Sequence, residues 1–211
     1  HMRRAMDGEP GRRILAGFAE RDLVGLCIYD SGVRCVYNVR RAIHTPADLA
    51  GLKIRVPPSD IFIEIGRALG ANPTPLSFGE VYSSLQTHLI DGAENNIHSF
   101  RSSRQFEVAK HWSETRHSYS PEALLMSRRG FERLGRPEQE LLLRLASESV
   151  PYMRGLWDVA EAESRASVLA AGVQINETDL AAFEAATAPL VERRLGNPDL
   201  RHLYDDIRSL A

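Results

Sequence analysis

Between residues 50 and 100 the hydrophobic period switches every few positions, and no other feature limits the fold as tightly. The stretch contains GLKIRVPPSDIFIEIGRALGANPTPLSFGEVYSSLQTHLIDGAENN. Residues 52–56 form a short β-type run that Pro57-Pro58 ends. Ser59 is placed to cap a helix with Asp60 and Glu64 near its start, and Gly70 to close it. Residues 72–76 are extended, because the residue before each of Pro73 and Pro75 is pushed out of the helical region. Ser77 and Glu80 have capping-box spacing for a second helix reaching about Leu89. Asp91-Gly92 then signals a turn. Strands alternating with helices in this way argue for an α/β fold.

The flanks follow the same logic. Ile14, Leu15 and Phe18 have helical spacing within residues 11–21, and residues 23–29 (LVGLCIY) are a nearly continuous apolar strand. In a second strand, residues 33–39, alternation puts Val33, Cys35 and Tyr37 on one face and Arg34 on the other. Asp30-Ser31-Gly32 reads as a tight turn joining these strands in a hairpin. Cys27 then faces Val36 and Cys35 faces Ile28, on opposite faces, so the two cysteines are free core residues. Thr45-Pro46 starts a short helix. Beyond the central stretch come a helical segment (99–107), two extended runs (112–119 and 123–128) and the longest helix, which starts at Pro137 and ends at Gly172. Its apolar spacing runs through Leu141, Leu142, Leu145, Val150, Met153, Leu156, Val159, Ala162, Ala166 and Leu169, and Pro151 is expected to kink it. A strand at 173–175 and helices at 179–195 and 198–210 close the chain.

With 43% hydrophobic and 26% charged residues, the composition is that of a globular protein, and a formal net charge of -2 without a basic run argues against nucleic acid as a partner. No apolar stretch approaches the ~20 residues needed to cross a bilayer. HMRRAMDGEPGRR lacks the apolar region of a signal peptide, and its first two residues are read as a cloning remnant. The sequence has no GxSxG, GxGxxG, P-loop, HExxH or CxxC, and its histidines show no metal-ligand spacing, so no cofactor and no metal site is expected. Arg34 and Arg55 stand out, because each sits on an otherwise apolar strand. A guanidinium matches a carboxylate with paired N–H donors; the alternatives are a surface arginine or an internal ion pair. Phe78 reads as core or as a ligand platform. Asn95 and Asn96 follow a turn they could cap, and Asp91 and Glu94 read as solvated turn carboxylates.

The combination GLKIRVP, GANPTP, FGEVYSSLQ and DGAEN, with YDSGVR and RRAIHTPADLAGLKIR upstream and FEVAKHW downstream, resembles the DctP-type substrate-binding proteins of TRAP transporters. The resemblance implies a periplasmic-binding-protein-like, type II-like α/β fold whose two lobes are crossed by a long kinked helix. It implies no enzymatic activity. Proteins of this type capture an organic acid in the periplasm of a Gram-negative bacterium and pass it to the membrane permease subunits. Carried over by motif, the ligand residues are Arg55 (the carboxylate-selecting arginine), Arg34, Phe78 and Asn95, with Ser59, Asn96 and His117 as further candidates. Pro58 replaces a polar residue that some members place after RVP. The SDIF segment, the doubled asparagine and HSYSPE (117–122) look most like members that take hexuronates such as glucuronate or galacturonate; a C4-dicarboxylate or another small carboxylic acid is the alternative.

The same resemblance implies an incomplete first lobe. Residues 1–33 correspond to its remnant with a hinge strand, 34–120 to the second, ligand-binding lobe, 121–136 to a return strand and turn, 137–172 to the lobe-spanning helix, and 173–211 to C-terminal helices packing on the second lobe. Apolar side chains left uncovered in the first lobe would favour a homodimer. Two other functions stay open: a small enzyme anchoring an anionic substrate on Arg55 with His117 or Glu94 as base, and a remnant that binds little or no ligand.

Overall fold

The computed structural model describes residues 1–210. In chain order the elements are α1 (Met2–Asp7), α2 (Glu9–Gly17), β1 (Leu23–Tyr29), β2 (Val33–Asn38), β3 (Lys53–Val56), α3 (Asp60–Ala68), β4 (Asn72–Pro75), α4 (Val81–Gln86) and β5 (Gly92–Asn95). There follow α5 (Ile97–Ser102), β6 (His111–Tyr119), β7 (Glu122–Ser127), α6 (Arg128–Glu132), α7 (Arg136–Ala170), β8 (Gln174–Asn176), α8 (Leu180–Arg194) and α9 (Pro198–Ser209). The chain divides into two compact units, one of residues 1–31, 120–159 and 195 onward, the other of residues 32–119 and 160–194. Helix α7 contributes to both, and Gly172, at φ +81°, follows its end.

The unit of residues 32–119 and 160–194 is built on a six-stranded sheet of order β4-β3-β5-β2-β6-β8. Strands β4, β3 and β5 are mutually parallel, β2 runs antiparallel to both β5 and β6, and β8 lies parallel to β6. One face buries Cys35, Tyr37, Ala93, Phe100 and Trp112 with Val81 and Leu85 of α4; the other buries Val36, Ile54, Leu49 and Leu69 with Phe183 of α8. The phenol of Tyr37 stacks on Trp112 with ring centroids 5.7 Å apart. Gly92 lets β5 approach β2 closely, since a Cβ there would lie 2.4 Å from the Tyr37 carbonyl oxygen.

The expected hairpin does not form. Strand β1 pairs with β7 in a separate two-stranded antiparallel sheet, and β2 lies between β5 and β6. The reason is burial: Cys35, Val36 and Tyr37 are covered on both faces of the sheet, which only a central strand provides. The cysteines are free and buried, but because their strands belong to different sheets rather than to opposite faces of one ribbon. Helix α4 stops at Gln86 instead of near Leu89, because His88 adopts φ +59° and breaks the helical path.

In the other unit, α1 and α2 pack Ala5, Met6, Ile14 and Leu15 against Ile28 of β1, joined by Ile207 of α9 and by Leu210 just after it. Helix α9 was expected on the unit of residues 34–120 and belongs here instead, because its apolar stripe finds that cluster. Ala146 and Val150 of α7 meet Cys27. Arg3 bridges Asp30 (2.5 Å) and Asp158, and Arg154 holds Asp7 (2.7 Å), tying α1 to α7.

Candidate ligand-binding site

After β3 the chain builds α3 with Ile65 on one face of the six-stranded sheet; after β4 it builds α4 on the opposite face. The strand order reverses between these steps, and open α/β sheets bind ligands beyond the carboxyl ends of the strands at such a point, here β3 and β5. Arg55 stands next to the end of β3 and Asn95 at the end of β5. Arg55 pairs with Ala93 across the ladder, so Asn95, two residues on, lies on the same face.

Arg55 is only 4% exposed, yet no carboxylate pairs with it among the described residues. Its Nε and Nη2 both donate to the Leu76 carbonyl oxygen, at 2.8 and 2.6 Å, and its Cζ lies 5.9 Å from the centroid of the Phe78 ring. The carbonyl orients the guanidinium and leaves Nη1 with no acceptor among the described residues. Burial holds the Arg55 pKa below its ordinary value, and the nearby Arg34 charge adds to the effect. A buried cation without a counter-ion is costly unless an anion completes it.

Arg34 is in the opposite state. Its Nε and Nη2 donate to the two carboxylate oxygens of Glu94 at 2.5 and 2.7 Å, Nη2 also donates to the Glu94 carbonyl, and Nη1 donates to Asn95 Oδ1 at 3.1 Å. A guanidinium has five N–H groups, and those four bonds leave Arg34 one. The ring of Phe62 covers it, 5.1 Å from Cζ. Glu94 is buried, not the solvated turn carboxylate read from the sequence, and so is Asp91, which accepts from Arg40 and from the Lys53 N–H. Burial works to raise the Glu94 pKa, and hydrogen bonds from His117 and Arg34 outweigh it, so the carboxyl sits below its usual range.

The remaining sequence candidates divide. Asn95 Oδ1 accepts from Arg34 and from the Asn96 N–H; two donors on one atom fix the amide so that its NH2 faces elsewhere, available to hydroxyl oxygens. Phe78 is 45% exposed beside Arg55 and does not belong to the core. His117 points Nε2 at Glu94 from 3.4 Å. Asn96 caps α5 by accepting from the Ser99 N–H at 2.7 Å. Ser59 occupies the N-cap position of α3 without a side-chain cap bond, and no contact joins it to the arginines. Among the described residues no cluster of histidine, cysteine or carboxylate side chains could hold a metal, and no helix is long and apolar enough to cross a membrane.

Residues 1–196 match the family described as bacterial extracellular solute-binding protein, family 7, DctP. The chain belongs to the DctP family. Its fold superposes on a TRAP periplasmic solute-binding protein of Xanthobacter autotrophicus solved with bound β-D-galacturonate, with a TM-score of 0.95, 44% identity, and coverage of 99% of this chain and 70% of that one. A second such protein, from Chromohalobacter salexigens with bound D-glucuronate, gives a TM-score of 0.96 at 38% identity over 100% of this chain and 70% of that one. A curated solute-binding protein of Chromohalobacter salexigens is 38% identical over 210 residues, 99% of this chain and 62% of its own length. The DctP-family chain thus has the two-lobe type II-like architecture and spans less than two thirds of that curated relative.

Proposed function

We propose that this chain is the solute-binding component of a TRAP-type secondary transporter, and that it captures a hexuronate such as glucuronate or galacturonate and delivers it to the membrane permease subunits. The observation that carries this reading is Arg55, a buried, pre-oriented guanidinium whose counter-ion the described residues do not supply. A sugar acid fits the rest of the site. Its carboxylate neutralises Arg55, the Asn95 amide donates to ring hydroxyls, and Phe78 gives its apolar face a platform. The relatives solved with galacturonate and glucuronate support the sugar class, and their periplasmic setting supports the same compartment in a Gram-negative cell. The site holds its histidine and buried carboxylate in a closed hydrogen-bonded network with Arg34, which favours binding over turnover. A thermal-shift and calorimetric screen tests the ligand: D-glucuronate or D-galacturonate is expected to stabilise the protein, and stabilisation by succinate or malate alone would overturn the sugar class.

The first unit supports a further partner, a second copy of this chain. On α7, Leu145, Leu156 and Val159 are 49%, 56% and 58% exposed, and the β1–β7 sheet has only two strands. Exposed apolar stripes and open strand edges are association surfaces, and a two-fold dimer closes them in one step. Light scattering at micromolar concentration is expected to give a dimer with a concentration-dependent Tm; a stable monomer would rule this out.

A further inference from the structure

Strand β6 departs from regular pairing at one place. Arg34 of β2 faces Ser118, but Val36 faces Ser113, so Cys35 alone opposes the four residues Glu114 to His117. Arg116 takes φ +43° to make the excursion. Bulges next to binding sites re-aim side chains, and this one turns His117 toward Glu94 and buries Thr115, which is 1% exposed. The Thr115 hydroxyl accepts the Val36 N–H at 3.0 Å, replacing a ladder bond that the bulge removes, and lies 2.8 Å from His117 Nδ1.

Those two contacts determine a proton. A hydroxyl has one hydrogen and two lone pairs, and Val36 takes one lone pair. If His117 carried its proton on Nδ1, it would use the other lone pair, and a bare Nε2 would face the Glu94 carboxylate across 3.4 Å. If Thr115 donates to Nδ1, the proton sits on Nε2 and is given to Glu94. Of the two neutral tautomers, only the second satisfies both ends of the ring.

We infer that Thr115 is a positioning residue that holds neutral His117 as the Nε2–H tautomer, so that Glu94 receives donors from both Arg34 and His117 on the face of the sheet opposite Arg55. This deepens the uronate-binding reading and rests on it for its consequence: with Glu94 held by Arg34 and His117, Arg55 keeps its charge for the ligand. Without the Thr115 donor, the His117 ring can flip its proton, Glu94 loses one partner, and its less balanced charge, within electrostatic range of Arg55, opposes the ligand carboxylate.

The test has two arms. Nitrogen-15 NMR of the histidine rings at about pH 8, above the ordinary histidine range, with His117→Gln used to assign the signal, is expected to show His117 protonated on Nε2 in the ligand-free protein. Thr115→Val is expected to mix the tautomers and Thr115→Ser to restore the parent signal. In calorimetry, Thr115→Val is expected to weaken D-glucuronate or D-galacturonate binding roughly tenfold, the scale of one charge-assisted hydrogen bond, with Thr115→Ser near the parent. An Nδ1–H signal in the parent, or parent-like affinity in a folded Thr115→Val with altered tautomers, would overturn the inference. Failure of the parent protein to bind uronates would instead defeat the functional reading while leaving the NMR result standing.

Discussion

Replacing Arg55 with alanine is expected to cost about 2–5 kcal/mol of hexuronate binding, the range for a desolvated charge pair that loses one member, and therefore roughly 30-fold or more in affinity. Arg55→Lys should also bind poorly, since an ammonium cannot donate two parallel bonds to a carboxylate while holding the Leu76 carbonyl. The same residue makes an opposite demand on the empty protein. A guanidinium buried without a carboxylate costs stability, so Arg55→Met, which keeps the apolar stem and removes the charge, should raise the ligand-free Tm while abolishing binding. Calorimetry and thermal denaturation on one pair of proteins read both effects. Unchanged affinity in Arg55→Ala would remove this residue from the site.

Glu94 should behave in the reverse way. Its carboxylate is matched to Arg34 by paired short bonds in a buried setting, and breaking a buried pair from one side costs about 3–5 kcal/mol. Glu94→Gln is therefore expected to lower stability by that order in the absence of any ligand. The pH dependence carries the same signature. Since the folded pKa of Glu94 lies below its unfolded value, the stability from the pair is fully present above the ordinary glutamate range, near ~4.3, and is lost as pH falls through the folded value. Chemical denaturation of parent and Glu94→Gln between neutral and acid pH should converge as the pH drops. A constant difference across that range would show that the pair is not what Glu94 contributes.

The two arginines explain how much of the site was legible. Both could be picked out as cations on apolar strands, and the motifs placed Phe78 and Asn95 beside them. Which arginine was already neutralised could not be read, because that depends on register. With β2 assumed to pair with β1, nothing linked Arg34 to Glu94. In the observed register Val36 faces Glu94, so Arg34 is its diagonal neighbour, within reach of a long side chain. The local elements were legible because their boundaries are chemical: Pro57-Pro58, Gly70, the Ser77–Glu80 pair, whose hydroxyl and N–H both reach the Glu80 carboxylate, and Gly172. Long-range choices were not. Whether β1 joined β2, where α9 packed, and how the β6 bulge aimed Thr115 and His117 were decided by burial between segments far apart in sequence.

The most direct test of the carboxylate site is a double-mutant cycle between Arg55 and the ligand charge, measured by calorimetry with D-galacturonate and its uncharged methyl ester on the parent and on Arg55→Ala. The expected result is a coupling of about 2–5 kcal/mol: the ester loses most of its affinity in the parent and nothing further in the variant. A coupling near zero at Arg55, with a comparable one appearing when Arg34→Ala is measured in its place, would contradict the assignment.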